Sequence, residues 1–174
     1  MSIIYPNGTL KYLYDLMGTY PDFPSKGVIF KDMLPLIESP NISGLLIALL
    51  ANQIPDNVNC IVAPESRGFL LGILVAEKLH LPFIPLRKPN KLPGDKHTVI
   101  YKTEYSHDIL EMTKGLATNK TCWFIDDIYA TGGTHLAANE LITKDGGQLI
   151  GGSVLLSVFD KHPDNIIELF REVK

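Results

Sequence analysis

Cysteine is scarce: the 174 residues hold two, Cys60 and Cys122. They lie far apart and fit neither a metal-ligand nor a disulfide spacing. Both read as small core residues of a protein in a reducing compartment. Long hydrophobic runs are lacking too. The most apolar stretch, GLLIALLAN (44–52), is too short to span a bilayer and is cut off by Pro55. The N-terminus has no basic region followed by an apolar core, so no signal peptide is expected. Positive charge is not in excess: 16 Lys and Arg stand against 19 Asp and Glu, a net charge of −3. General nucleic-acid binding through phosphate neutralisation is therefore not expected. No repeat and no low-complexity linker occurs. The expectation is a cytoplasmic protein that engages neither membrane nor nucleic acid. What is present suits one globular domain over 1–174, with 45% hydrophobic and 20% charged residues.

The apolar pattern alternates between strand and helix. NISGLLIALLANQI (41–54) predicts a helix, with Leu46, Leu49 and Leu50 at i, i+3, i+4. NCIVAP (59–64) predicts a buried strand, and SRGFLLGILVAEKLH (66–80) a helix with Leu70, Ile73 and Leu74 on one face. PFIPL, TCWFIDD and QLIGGSVLLSVF predict strands, TVIYKTEY and DILEM a strand pair, and THLAANELITKDGG a helix with glycines past its end. YPDFPSKGVIFKDMLPLI (20–37) reads as ordered loop. The alternation argues an α/β fold with a mostly parallel central sheet flanked by helices. Ligands in such sheets bind at the carboxyl ends of strands.

FIDDIYATGGTH (124–135) carries the clearest chemistry. Gly132 and Gly133 let the backbone turn sharply, with positive φ expected at both, and approach a ligand closely. From Ala130 to Thr134, successive amides and a helix N-terminus favour a phosphate, and Thr131 and Thr134 add hydroxyls. No Lys-Ser or Lys-Thr follows the glycines, so this is not a P-loop. Asp126 and Asp127 would repel a lone phosphate. They make sense if the ligand presents sugar hydroxyls, since a carboxylate accepts two hydrogen bonds from a vicinal diol. The expected ligand is a ribose phosphate.

This stretch resembles the phosphoribosyl-pyrophosphate (PRPP) motif of the type I phosphoribosyltransferases. PDFPSKGVIFKDMLPL, ESRGFLLG, RKPNKLPG and YKTEYSHDILEM, in that order, resemble the adenine phosphoribosyltransferases, over about Tyr20 to Gly147. The resemblance implies a type I phosphoribosyltransferase fold and transfer of ribose 5-phosphate from PRPP to N9 of adenine. AMP and pyrophosphate are the products. It also implies Mg²⁺ carried by PRPP with no direct protein ligand, a homodimer, a small hood or base-binding segment over about 1–35, and a lid loop over about 87–111.

The other motifs take roles in that frame. Pyrophosphate is highly anionic, and RKPNKLPGDK supplies Arg87, Lys88 and Lys91 for it, while Lys96 reads as a solvated charge. Glu65, Ser66 and Arg67, between a strand and a helix N-terminus, can hold pyrophosphate oxygens. By resemblance the Glu65–Ser66 peptide is cis. Glu104 in TEYS is, by resemblance, the general acid/base for adenine's ring nitrogens. Ser106 stands where the family usually has glycine. Backbone groups of Ile29 and Lys31 would read adenine's amino edge, with Phe30 stacked on the ring. SVFDKHPDN (157–165) departs from the family's acid-leucine-proline-like closing segment. His135 reads as incidental. Two rival readings stand beside this one. A phosphoribosyltransferase for hypoxanthine, guanine or xanthine would differ in base preference. A non-catalytic PRPP-sensing regulator would lack the lid acid and usually add a DNA-binding segment.

Overall fold

The computed structural model describes residues 8–23, 25–102, 107–158 and 162–172. The elements run α1 (Thr9–Leu16), β1 (Gly18–Pro21), β2 (Ile29–Asp32), α2 (Pro35–Glu38), α3 (Pro40–Ala51), β3 (Cys60–Pro64) and α4 (Arg67–Leu79). They continue β4 (Phe83–Leu86), β5 (Lys96–Lys102), β6 (His107–Thr113), β7 (Thr121–Tyr129), α5 (Gly133–Lys144), β8 (Gln148–Ser157) and β9 (Ile166–Arg171). Five strands form a parallel sheet in the order β4-β3-β7-β8-β9. Strands buried on both faces need continuous apolar runs, and every residue of β3 is buried. One core layer packs α3 and α4 onto the sheet through Leu46, Leu50, Ile61, Leu71 and Ile125. The other packs α5 and the β5–β6 hairpin through Val62, Leu110, Phe124 and Leu141.

The cysteines behave as core residues. Cys60 and Cys122 are register partners on β3 and β7, both buried and free. No helix among the described residues is long and apolar enough to cross a membrane.

Three expectations need correction. The 20–37 segment is not plain loop, because β1 and β2 pair as an antiparallel hairpin, Tyr20 opposite Phe30. None of its strand residues is buried, so no apolar alternation announced it. Helix α1 and edge strand β9 were not anticipated. Helix α4 buries the opposite face from the one its leucines suggest. Leu70, Ile73 and Leu74 are 42%, 49% and 40% exposed, while Gly68, Leu71, Gly72, Val75 and Ala76 face inward. Small residues let the helix lie close on the sheet: a Cβ at Gly72 would stand 2.7 Å from the Ala63 Cβ.

Candidate active site

Strand β7 carries Asp126 and Asp127 to the carboxyl edge of the sheet, and the chain enters α5 through Ala130–Gly132. Gly132 is the N-cap of α5 with φ +79°. Gly133 does not share the positive φ expected of it; it is the first helical residue. Tyr129 packs beneath the loop, where a Cβ on Gly132 would lie 2.4 Å from its hydroxyl oxygen. His135, one residue into the helix beyond Thr134, stacks edge-on to Phe124 with centroids 5.4 Å apart. Both of its ring nitrogens are buried without a hydrogen-bond partner among the described residues. Burial lowers its pKa, favouring the neutral ring.

Two adjoining cavities open on this edge. One, of about 230 Å³, is walled by the 130–134 loop, Tyr101, Tyr129 and His135. The other, of about 350 Å³, is walled by Glu65, Ser66, Arg67, Lys88, Asp108 and Asp127. Tyr101, Asp126, Ile128 and Thr134 line both. The layout suits an anionic group in the loop, hydroxyls at the acids and a second anionic group beyond.

The acids differ in surroundings. Asp126 is half-buried at the junction of the cavities and accepts the Asp127 backbone N–H at 2.9 Å. Asp127 is buried, with Arg67 Nε 2.9 Å from its Oδ2. That contact is an ion pair without hydrogen-bond alignment, since Oδ2 has no hydrogen-bond partner among the described residues. Burial raises both carboxyl pKa values. The neighbouring Asp127 charge pushes Asp126 further, whereas Arg67 pulls back on Asp127. The α4 N-terminus reaches them because residue 68 is glycine: a Cβ there would meet Asp126 Oδ1 at 2.9 Å.

The remaining site residues fall around that edge. The Glu65–Ser66 peptide is cis, and Ser66 caps α4 without a side-chain hydrogen bond. The Glu65 carboxylate accepts from Arg87 Nε at 3.0 Å and from the Lys88 backbone N–H at 2.9 Å. Those two contacts, the Lys88 amide first, hold its pKa below the usual range. Lys88 Nζ pairs with Asp108 on β6. Lys91 is exposed and lines neither cavity. Lys96 lies 3.4 Å from Glu111, a structural contact. Arg87 and Glu111 exchange two backbone hydrogen bonds of 2.8 Å, which close the 87–111 segment at its base. The β1–β2 hairpin brings Phe30 over Arg67, 5.1 Å from guanidinium carbon to ring centre. Ile29 turns its side chain outward. The Lys31 side chain points into its own anchor, 3.0 Å from Thr19 Oγ1, 3.5 Å from Glu172 and 4.3 Å from the Tyr14 ring centre. Glu104, and Phe159–Lys161 of the atypical segment, lie outside the described residues. Sequence reasoning passed over Tyr101 and Asp108, which reach the cavities only through the fold. Tyr129 lies within the FIDDIYATGGTH motif, where its hydroxyl is legible but was given no role.

No protein-family model matches the chain. The adenine phosphoribosyltransferase of Campylobacter jejuni is 36% identical over 167 residues, covering 94% of this chain and 92% of that protein. The chain belongs to the adenine phosphoribosyltransferase family. Solved structures of adenine phosphoribosyltransferases agree. That from Rhodothermus marinus superposes with a TM-score of 0.88 at 30% identity, covering 96% of this chain and all of that one. The Saccharomyces cerevisiae enzyme, solved with adenine and D-2,5-dideoxy-2,5-imino-altritol 1,6-bisphosphate, gives 0.85 at 31%, covering 94% and 99%. The parallel sheet flanked by helices is thus the fold of adenine phosphoribosyltransferases.

Proposed function

We propose that the chain transfers the 5-phosphoribosyl group of PRPP to N9 of adenine, releasing AMP and pyrophosphate, a purine-salvage reaction. The observation that carries this is the pair of adjoining cavities meeting at Asp126, one floored by the 130–134 loop and one flanked by Arg67 and Lys88. Family membership and the relative solved with adenine and a bisphosphate support it.

The amides of Ala130–Thr134 and the α5 N-terminus hold the 5-phosphate, with the Thr131 and Thr134 hydroxyls as further donors. Asp126 and Asp127 accept the ribose 2′- and 3′-hydroxyls, which fixes the sugar for displacement at C1′. Ser66, Arg67, Arg87, Lys88 and Lys91 offset the charge that grows on departing pyrophosphate, with Glu65 positioning Arg87 and Lys88. Phe30 stacks on adenine while the Ile29 and Lys31 backbone reads its amino edge. Glu104 acts as general acid/base at the ring nitrogens. The segment from Arg87 to Glu111, closed at its base, acts as a lid that keeps water from PRPP, and residues 1–35 act as the hood.

Mg²⁺ fits this site as a guest of the substrate. It would be carried by the substrate phosphates and waters with no direct protein ligand, and Asp126 faces the cavity where those phosphates would lie. When bound, it would neutralise the leaving group. Two supports favour a homodimer and a cytoplasmic setting: the apolar outer face of α4 suits a second copy, and two buried free thiols suit a reducing compartment.

The test is PRPP with adenine, hypoxanthine, guanine or xanthine in turn, measuring nucleotide formed. AMP as the dominant product is expected. A preference for another base would move the chain to the rival purine reading. No nucleotide from any base would leave a PRPP-binding regulator.

A further inference from the structure

Arg67 and Lys88 line the larger cavity and Arg87 precedes Lys88 in the chain, and each of the three already has a carboxylate. Arg67 has Asp127, Arg87 has Glu65 and Lys88 has Asp108. The first two acids belong to the central sheet and the turn after β3. Asp108 differs, because it lies on β6 in the hairpin that covers the site. It also accepts from the Tyr101 hydroxyl at 3.2 Å and from the Ile109 N–H at 2.8 Å. Tyr101 in turn lines both cavities together with Thr134 of the PRPP loop. Lys88, Asp108, Tyr101 and Thr134 all line the larger cavity. The Lys88 and Asp108 side chains are 37% and 32% exposed, so a ligand entering that cavity can reach both.

A carboxylate oxygen on Lys88 Nζ, in the cavity assigned to pyrophosphate, stands in for a phosphoryl oxygen. Both are anionic acceptors seeking the same ammonium donors. We propose that Asp108 is the counter-ion that Lys88 exchanges for pyrophosphate. The carboxylate competes with substrate and product for one cation and so weakens pyrophosphate binding and hastens its departure. For a ligand that must displace an internal partner, the apparent dissociation constant is the intrinsic one divided by the fraction of time the site is free of that partner. The proposal rests on Lys88 being a pyrophosphate contact.

Asp108→Asn tests it, since the amide keeps an acceptor for the Ile109 N–H but loses the charge. Calorimetric titration of the full chain with pyrophosphate and Mg²⁺ should give a dissociation constant about twofold to fivefold lower than wild type, the range of a partly exposed ion pair. Stopped-flow dissociation of pyrophosphate should slow in step. A merely structural role for Asp108 would weaken binding, not tighten it. Asp108→Ser, which also removes the charge, repeats the measurement should the Asn variant not fold. Unchanged or weaker pyrophosphate binding in the folded variant overturns the proposal. Lys88→Met separates the two ideas. If it leaves pyrophosphate affinity at the wild-type value, the assignment of Lys88 falls and the exchange falls with it. If it weakens affinity while Asp108→Asn fails to tighten it, the exchange alone is refuted.

Discussion

Gly132→Ala should cripple PRPP use while leaving the fold in place. The backbone at residue 132 has φ +79°, a region that costs an L-residue about 1–2 kcal/mol. The new Cβ would also stand 2.4 Å from the Tyr129 hydroxyl oxygen and 3.0 Å from its ring carbon Cζ. Tyr129 is 7% exposed and packed against His135 and His162, so it has little room to withdraw. Overpacking of that kind costs about 1–3 kcal/mol. The loop is the softer partner, and it would leave its present shape before the sheet does. A loss of about 2–4 kcal/mol in the binding-competent shape corresponds to about 30- to 1,000-fold in apparent affinity. The assay is initial rate against PRPP at saturating adenine, with ribose 5-phosphate titration as a check that needs no chemistry. KM for PRPP should rise at least about tenfold. Adding Tyr129→Phe removes the 2.4 Å contact but not the backbone penalty. The double variant should therefore recover part of the loss, with a coupling of at least about 0.5 kcal/mol. Wild-type KM in Gly132→Ala, or strict additivity of the two changes, would refute this account of the cradle.

Glu104→Gln should lower turnover by about 10²- to 10⁴-fold with PRPP affinity kept, as removal of proton transfer predicts; a loss under about threefold takes Glu104 off the catalytic list. Phe30→Ala should raise KM for adenine by about 1–3 kcal/mol of lost stacking. Lys31→Ala should raise it through the freed hood hairpin, and neither should alter the adenine-to-hypoxanthine ratio. A shifted ratio in either variant would assign base choice to those side chains. Asp145 is buried and accepts the Gly115 and Ala117 N–H groups at 2.7 Å, with His97 Nε2 at 2.9 Å. Burial alone would raise its pKa, but these contacts outweigh it and hold the carboxyl below the ordinary range. Its stabilisation is therefore complete above the unfolded value near pH 3.9 and lost as pH falls through the lower folded value. Asp145→Asn, which turns an amide N–H₂ toward one of those donors, should cost about 2–4 kcal/mol at neutral pH and flatten the acid limb of a stability-versus-pH curve. An unchanged acid limb would contradict the assignment.

What the sequence disclosed depended on whether the information was contiguous. Strand β3 is an unbroken apolar run, and β7 and β8 carry the apolar stretches Cys122–Ile125 and Val154–Leu156, because both their faces are covered, and the run itself names the strand. The FIDDIYATGGTH loop was legible for a like reason: strand end, acids, cradle and helix start follow one another along the chain. Hairpin β1–β2 was not, since none of its strand residues is buried and it lies in a proline-marked segment with no period. The inverted reading of α4 has a sharper cause. Leucine spacing says that a helix has an apolar face, but which face meets the sheet is settled by how closely the backbones approach. At Gly68 and Gly72 that approach is too tight for any Cβ. The charged half of the site follows the same logic. The sequence motifs, with the family resemblance, assigned Arg67, Arg87 and Lys88 one shared task, the neutralisation of pyrophosphate. Folding gives each a different acid from a different element: Asp127 on β7, Glu65 at the end of β3 and Asp108 on the covering hairpin. Three cations that look equivalent in sequence are thus unequal toward an entering anion. Asp127 is buried and Glu65 stands on the turn directly after β3 with one further contact, the Lys88 amide, whereas Asp108, held by Tyr101 and Ile109, sits on the element that joins the sheet through the Arg87–Glu111 bridge. Exchange is therefore easiest at Lys88, where the released acid belongs to the hairpin and not to the sheet.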